Sequence, residues 1–301
     1  MGICDGRVVL ITGAGRGLGR SHALAFAAEG AAVMVNDLGA EADGSGETSS
    51  APAREVVAEI EGSGGRAVAN GADVADFDSA KAMVDACIDT FGRLDVVVNN
   101  AGILRDRMFV NTSREEWDDV IRVHLSGHFC VGRHAGAYWR DQAKAGNPVD
   151  ARLINTTSGA GLMGSVGQSA YAAAKAGIAA LTIVQATEMR RYGVTVNALA
   201  PSARTRLTEG VFEDMMAEVE SGFDAMDPDN ISPLIVWLGS PESAEVTGCV
   251  FEAEGSEISI ATGWQHGPSV NKDRRWKPDE IGDAVHRLLG EAPKPTPVYG
   301  A

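Results

Sequence analysis

Long hydrophobic runs are missing from this 301-residue sequence. No stretch of about 18 apolar residues occurs, which is roughly the length that a transmembrane helix needs. The first residues also lack a basic segment followed by an apolar one, so the sequence predicts no secretory signal peptide. We therefore expect a cytoplasmic protein that has no membrane partner.

Cysteine and basic residues are both scarce. The four cysteines, Cys4, Cys87, Cys130 and Cys249, are far apart and form no C-x-x-C pair. This spacing indicates reduced thiols instead of a disulfide framework or a zinc site. Lys and Arg total 26 against 41 Asp and Glu, which gives a net charge of -15. Because nonspecific nucleic-acid binding needs a basic surface, we expect no nucleic-acid partner.

Glycine is abundant, with 36 residues, and short apolar runs alternate with Ala-rich helical stretches. Residues 7–12 form a β-branched run that is typical of a buried parallel strand. A glycine turn follows, then a helical pattern over residues 20–29 and a second strand over residues 32–36 that ends at Asp37. This order predicts the opening of a dinucleotide-binding βαβ unit.

The turn glycines are Gly13, Gly17 and Gly19, spaced G-x-x-x-G-x-G instead of G-x-G-x-x-G. They fit a tight turn where the backbone approaches a pyrophosphate at a helix N-terminus. Asp37 would accept hydrogen bonds from the adenosine ribose and repel a 2′-phosphate, which favours NAD over NADP. A solvated loop acid is the alternative interpretation of Asp37.

A second motif lies between Asn155 and Lys175, where Ser158 precedes Tyr171 and Lys175 follows Tyr171 by four residues. On a helix this spacing puts the phenol and the ammonium on one face. A free Tyr has a pKa of about 10, and a nearby cation lowers it by favouring the phenolate. With Ser158 holding a substrate oxygen, the motif predicts proton transfer to and from that oxygen.

Residues 113–142 are predicted to form one long helix that carries His124 and His128 at i, i+4 spacing. The pair resembles that of a metalloprotease helix, but no Glu follows His124 and no third ligand is evident. We therefore predict no metal site. His124 is interpreted as a polar group in the helix interior near the active site.

Two segments interrupt the βα alternation. Residues 39–52 are polar and small and predict a surface insertion, to which we assign no chemistry. Residues 205–229 predict a mobile lid over the cleft, with the apolar residues Leu207, Val211, Phe212 and Met215. The cations that would bind the phosphates of a CoA ester are Arg105, Arg107, Arg204, Arg206 and the cluster at 272–277; ordinary surface cations are the alternative.

Four ordered motifs together resemble the short-chain dehydrogenase/reductase family over about residues 6–254. Residues 12–19 resemble its T-G-x-x-x-G-x-G turn and residues 99–102 its N-N-A-G. Ser158, Tyr171 and Lys175 match its serine and Y-x-x-x-K spacing, and residues 197–205 resemble the segment that covers the nicotinamide. The resemblance implies an α/β fold with a doubly wound, parallel, seven-stranded Rossmann-type sheet, assembled as homodimers or homotetramers.

The resemblance also assigns domains and residues. It places the dinucleotide-binding domain at 1–255 and a C-terminal extension at 256–301, packed on or near the active-site side or at a subunit interface. It implies the catalytic residues Ser158, Tyr171, Lys175 and His124. It implies cofactor contacts by Gly13, Arg16, Gly17, Leu18, Gly19, Asp37, Asp73, Val74, Asn99, Asn100, Ala101, Gly102, Tyr171, Lys175, Pro201 and Thr205.

The sequence departs from the family pattern at two places. His124 stands where many members have an Asn that kinks the helix and holds a water linked to the Lys, so we expect an altered proton relay. Pro201-Ser202 replaces the usual Pro-Gly after the sixth strand, which puts the shape of the cofactor loop in doubt.

Residues 35–39, residues 123–125 and a Trp-containing tail carry a narrower resemblance, to the (3R)-hydroxyacyl-CoA dehydrogenase branch found in peroxisomal β-oxidation enzymes. This implies NAD-dependent interconversion of a secondary alcohol and a ketone, with an acyl-CoA or steroid as the small-molecule substrate. The alternatives are a hydroxysteroid dehydrogenase, a lyase or epimerase of the same broad fold, and a non-catalytic NAD-binding scaffold.

Overall fold

The structure is a computed structural model that describes residues 2–46, 48–205, 222–294 and 296–300. Most of the predicted lid, including Arg206, Leu207, Val211, Phe212 and Met215, lies outside the described residues.

Eight strands form one sheet in the described part of the chain. They are β1 (Val8–Thr12), β2 (Ala32–Asn36), β3 (Arg66–Asn70), β4 (Val96–Asn99), β5 (Ala151–Thr156), β6 (Val194–Ser202), β7 (Val250–Glu254) and β8 (Glu257–Ile260). Their order is β3-β2-β1-β4-β5-β6-β7-β8. The chain reverses direction across the sheet between β1 and β4, and ligands of doubly wound folds bind at the carboxyl ends of strands at such a point.

Nine α-helices accompany the sheet within the described ranges. They are α1 (Gly17–Ala28), α2 (Ala51–Gly62), α3 (Phe77–Phe91), α4 (Arg114–Ile121), α5 (Gly127–Lys144), α6 (Gly159–Met163), α7 (Ser169–Met189), α8 (Ser232–Gly239) and α9 (Pro278–Glu291). Alternate residues of β1 face opposite sides of the sheet: Val9 and Ile11 pack into one core, Val8 and Leu10 into the other. Because helices cover both faces, the central strand β1 is buried along its whole length, and the predicted doubly wound fold is confirmed.

The predicted count of seven strands was wrong, because β8 adds an antiparallel edge strand. Gly255, at φ +54°, lies in the turn that brings β8 back along β7, where Phe251 pairs with Ile260. The four residues of β8 are exposed and begin with Glu257, so they lack the buried apolar run that marked the other strands. Residues 257–260 of the predicted extension therefore belong to the sheet.

The predicted long helix over 113–142 is interrupted. Ser113 caps α4 through a capping box with Glu116, as its spacing suggests. A π-helical turn, Arg122–Ser126, then separates α4 from α5 and carries His124. Such π turns occur often at functional sites.

The end of the chain returns to the loop before α7. Val166 N donates to Tyr299 O at 2.9 Å, and Tyr299 N donates to Gly164 O at 3.2 Å. No helix in the described ranges is both long and apolar enough to span a bilayer.

Candidate active site

The glycine turn after β1 forms one wall of a cleft at the carboxyl edge of the sheet. Gly13 and Gly17 have φ values of +62° and +51°, which L side chains rarely adopt. Helix α1 has no side-chain cap at its N-terminus, so its first N–H groups are left for a ligand. Arg16 Nη1 is buried without a hydrogen-bond partner in the described part of the chain. A helix N-terminus without a side-chain cap and a guanidinium nitrogen without a partner fit a pyrophosphate.

Asp37 borders the same cleft, one residue after β2. Its Oδ2 accepts a hydrogen bond from Gly15 N at 2.8 Å, and its Oδ1 accepts one from Gly39 N at 2.7 Å. The backbone thus fixes the carboxylate beside the glycine turn. Each oxygen keeps a lone pair for a further donor such as a ribose hydroxyl.

The end of β4 is tied to the glycine turn by Thr12 and Asn100. Thr12 Oγ1 accepts from the backbone N–H groups of Asn100 and Ala101, at 3.0 and 3.1 Å. Asn100 Nδ2 donates to Thr12 O and Gly13 O, each at 3.0 Å. These bonds make the polar residues after β4 a second wall of the cleft.

Most residues that the sequence predicted for the cofactor line this cleft: Gly13, Arg16, Gly17, Leu18, Gly19, Asp37, Asp73, Val74, Asn100, Ala101, Gly102 and Thr205. Asn99 lies elsewhere. It is buried, and its amide donates to Asn155 Oδ1 at 3.0 Å and His128 O at 3.3 Å, so it joins β4 to β5 and α5. Pro201 pairs with Ala253 in the sheet and does not line the cleft.

Sequence reasoning missed two parts of the cleft. The segment after Asp37, which we took for a surface insertion without chemistry, lines it through Leu38, Gly39, Ala40, Glu41, Ala42 and Gly44. Asp119, Arg122 and Val123, from α4 and the π turn, also line it. The insertion carries no motif, and only its contacts with residues 103–105 reveal its position.

Ser158, Tyr171 and Lys175 lie together beside the end of β5. Ser158 is the N-cap of α6, where its Oγ accepts from Ala160 N at 3.2 Å, and its side chain is near enough to Tyr171 to lower the pKa of the phenol. Lys175 follows Tyr171 by one turn of α7, with its Nζ 5.5 Å from the centre of the phenol ring. Lys175 Nζ also donates to Thr156 O at 2.7 Å, which fixes the ammonium.

Desolvation shifts both ionisable groups toward their neutral forms. It raises the pKa of Tyr171 to about 12, against a smaller lowering by the hydrogen bond with Ser158. Burial lowers the pKa of Lys175 to about 7. The lowered Tyr171 pKa that the sequence predicted is therefore wrong, because burial outweighs the contribution of Ser158. The attraction between phenolate and ammonium appears only when both are charged, as in a proton transfer.

His124 connects the cleft to the phenol. Its Nε2 lies 3.1 Å from Ile103 N and 2.8 Å from Ile103 O, so it accepts from one or donates to the other according to the tautomer. Its ring meets the Tyr171 ring edge-on at 5.2 Å. Burial and the Lys175 charge hold the pKa of His124 well below its usual value, so the imidazole is neutral. Its Nδ1 is buried without a partner among the described residues.

His128 plays a different part from His124. Its Nε2 accepts from Thr156 N at 3.3 Å, and burial lowers its pKa to about 3. The two rings therefore bond to separate backbone segments. In the described ranges no group of three or more His, Cys, Asp or Glu could hold a metal ion.

The cations considered for a CoA ester pair with carboxylates. Arg105 Nη2 lies 3.3 Å from Asp119 Oδ2, and Arg107 Nε lies 3.2 Å from Glu116 Oε1. Arg204 pairs with Asp224, and both Lys272 and Arg274 pair with Glu280. The CoA-phosphate hypothesis for these residues stays a prediction.

The family model for short chain dehydrogenase matches residues 7–215. The chain is 44% identical to the hydroxyacyl-CoA dehydrogenase ChsB1 of Mycobacterium tuberculosis over 92% of this chain and 86% of that protein. It is 46% identical to the mouse peroxisomal multifunctional enzyme type 2 over 86% of this chain but only 32% of that protein.

A solved structure of a short chain dehydrogenase from Mycobacterium avium is 59% identical, has a TM-score of 0.90 and covers all of both chains.

Proposed function

The chain belongs to the short-chain dehydrogenase family, and from this we propose that it oxidises a (3R)-hydroxyacyl-CoA to the 3-ketoacyl-CoA with NAD, or catalyses the reverse. Family membership makes the chain an oxidoreductase that acts on CH–OH groups with a nicotinamide dinucleotide. The observation that carries the proposal is the convergence of Ser158, Tyr171 and Lys175. His124 links this group to the cleft, because it bonds Ile103 in the cleft wall and its ring packs against Tyr171.

The substrate class is supported by the relatives. The Mycobacterium tuberculosis relative is named a hydroxyacyl-CoA dehydrogenase, and this chain spans 86% of its length. The chain spans about a third of the mouse multifunctional enzyme, so it matches one part of that protein. We propose that the same 3-hydroxyacyl thioester chemistry applies here, in the β-oxidation of a fatty-acyl or sterol side chain.

NAD is proposed over NADP because of Asp37. Its carboxylate is held at the cleft by two backbone N–H groups and would bond the ribose hydroxyls. A 2′-phosphate at the same place would meet like charge. The glycine turn, the free N-terminus of α1 and the unpaired Arg16 Nη1 would hold the pyrophosphate.

We propose four roles for the catalytic residues. Tyr171 exchanges a proton with the substrate oxygen, and Ser158 holds that oxygen by a hydrogen bond. Lys175 stabilises the phenolate and bonds the nicotinamide ribose. The neutral His124 fixes Ile103 against Tyr171 through Nε2. Its Nδ1, which has no partner among the described residues, accepts a proton-relay hydrogen bond when Nε2 donates to Ile103 O and donates one in the other tautomer. When bound, the nicotinamide supplies the acceptor for the hydride from the carbinol carbon.

The domain boundary and the assembly are further proposals. We propose that the catalytic domain ends after β8, at residue 260 instead of the expected 255, because residues 257–260 pair with β7. The extension then covers 261–301 and packs on the active-site side, which the contact of Tyr299 with Gly164 and Val166 supports. We also propose a homodimer or homotetramer, which light scattering coupled to size exclusion will measure.

NADH absorbance with a panel of alcohols tests the function. We expect turnover of a (3R)-hydroxyacyl-CoA with NAD and none of the (3S) isomer. A 17β-hydroxysteroid is the paired substrate, because a steroid alcohol is the alternative. Oxidation of the steroid alone would overturn the proposed substrate and leave the dehydrogenase chemistry standing.

A further inference from the structure

The loop between β2 and α2 crosses the cofactor cleft. Its neck is closed by the hydrogen bond from Ser49 N to Leu38 O at 3.0 Å. On its far side, Leu104 N, which follows β4, donates to Ala42 O at 3.1 Å. Because β1 lies between β2 and β4 in the sheet, the loop passes over the carboxyl end of β1, where the glycine turn begins.

Arg105 anchors the tip of this loop to the cleft wall. Its Nη2 lies 3.3 Å from Asp119 Oδ2 on α4, and its Nη1 lies 3.9 Å from Asp43 Oδ2 at the loop tip. The Arg105 side chain is 27% exposed, so these pairs are less screened than those at an open surface. Gly44 also packs closely against Ile103: a Cβ added at Gly44 would lie 3.2 Å from the Ile103 side chain. The arginine therefore joins the loop tip to α4, in addition to the backbone contact between the loop and the segment after β4.

We propose that residues 38–46 form a latch over the cofactor cleft and that Arg105 is the positioning residue that holds this latch closed. The proposal rests on the proposed binding of a dinucleotide. Six latch residues line the same cleft as the glycine turn: Leu38, Gly39, Ala40, Glu41, Ala42 and Gly44. A dinucleotide cannot leave across this side of the cleft until the loop opens, so the latch slows its release.

The latch differs in its consequences from direct binding of substrate by Arg105. If the arginine bound a CoA phosphate, its loss would raise KM for the acyl-CoA and leave dinucleotide affinity alone. If it holds the latch, its loss raises Kd for the dinucleotide in the absence of any substrate. Binding measured without substrate therefore separates the two.

The test is Arg105→Ala, measured by calorimetry with NAD and with ADP-ribose. We expect Kd for both ligands to rise together by about 5- to 10-fold. The loss of two partly exposed ion pairs lowers the fraction of the protein whose latch is closed, and the apparent affinity falls with that fraction. The NAD dissociation rate, from stopped-flow fluorescence, should rise by a similar factor. Amide hydrogen exchange at residues 39–46 should be faster in the variant, while exchange in β1 and β4 stays the same. In Asp43→Asn, which loses only one of the two ion pairs, Kd for both ligands should rise by about 2- to 3-fold.

The matched control is Arg107→Ala. Arg107 lies two residues further on, pairs with Glu116 and does not line the cleft. Its loss should leave Kd for NAD and ADP-ribose within about twofold of wild type. The difference in Kd between Arg105→Ala and wild type should be smaller at 1 M salt, because salt weakens the ion pairs that Arg105 forms in the wild type.

Two results would overturn the latch, and they differ from failure of the proposed function. Unchanged Kd and dissociation rate in Arg105→Ala, with tight wild-type binding, would exclude the latch alone. A higher KM for the acyl-CoA with unchanged Kd for ADP-ribose would move Arg105 to the substrate site. A wild-type protein that binds neither NAD nor NADP would overturn the proposed function and the latch together.

Discussion

Replacing Lys175 by Met should shift the pH dependence of alcohol oxidation. A unit charge 5.5 Å from the centre of the phenol ring stabilises the phenolate by about 3 kcal/mol at an effective dielectric constant of about 20. That energy corresponds to about 100-fold in an acid dissociation constant. Since desolvation already raises the pKa of Tyr171 to about 12, loss of the ammonium leaves still less phenolate at neutral pH.

The assay is kcat/KM for oxidation between pH 6 and 10.5 at saturating NAD, for wild type and Lys175→Met. We expect the variant to be about 100-fold slower at pH 6, where the Lys175 ammonium is charged, and the difference in kcat/KM to narrow above about pH 7 as the wild-type ammonium loses its proton. The reverse reaction, reduction of the ketone, uses a protonated phenol, so its kcat/KM should fall less in the variant. Urea denaturation is needed as a control, because Thr156 O loses its hydrogen-bond donor. A profile of unchanged shape and lower amplitude would refute the electrostatic role of Lys175.

Three further predictions concern charge and protonation. Asp37→Asn keeps an oxygen for only one of the Gly15 and Gly39 amides and removes the charge, so the affinity for NADP relative to NAD should rise roughly tenfold in calorimetry; an unchanged ratio contradicts the assignment. His124→Asn should keep NAD affinity and hold turnover within about tenfold of wild type; complete loss of NADH formation would show that an amide cannot serve here. Burial lowers the pKa of His22 and of His128 to about 3. As the pH falls, these histidines are therefore protonated in the unfolded chain before they are protonated in the folded protein. Their contribution to stability is full above about pH 6.5 and falls by about 1.4 kcal/mol per pH unit for each histidine as the pH drops toward 3. Urea melts from pH 7 to 4 should show this slope, and His128→Gln should make it shallower.

Local motifs were the part of the site that the sequence predicts well. The glycine turn, Asp37 and the Tyr171–Lys175 pair each depend on a few neighbouring residues and a fixed strand-to-helix geometry. Their meeting at one edge follows from the parallel sheet, because the carboxyl ends of its strands share an edge. The apolar runs of β1, β2 and β4 likewise predicted the doubly wound fold, and the structure confirms it.

What the sequence failed to predict depends on contacts between distant segments. The role of residues 38–46 appears only where Ala42 and Asp43 meet Leu104 and Arg105, about sixty residues later. The π turn at Arg122–Ser126 continues an ordinary helical pattern, and nothing in its composition marks the change. The raised pKa of Tyr171 follows from desolvation, which the i, i+4 spacing does not reveal.

The central claim is that Tyr171 transfers the proton while NAD takes the hydride from a (3R)-hydroxyacyl-CoA. The most direct measurement is NADH formation from that substrate by wild type and Tyr171→Phe, with Kd for NAD measured on both proteins. We predict turnover by wild type, a loss of about 100- to 10,000-fold in the variant, and similar Kd values. Near-normal turnover by Tyr171→Phe would contradict the account.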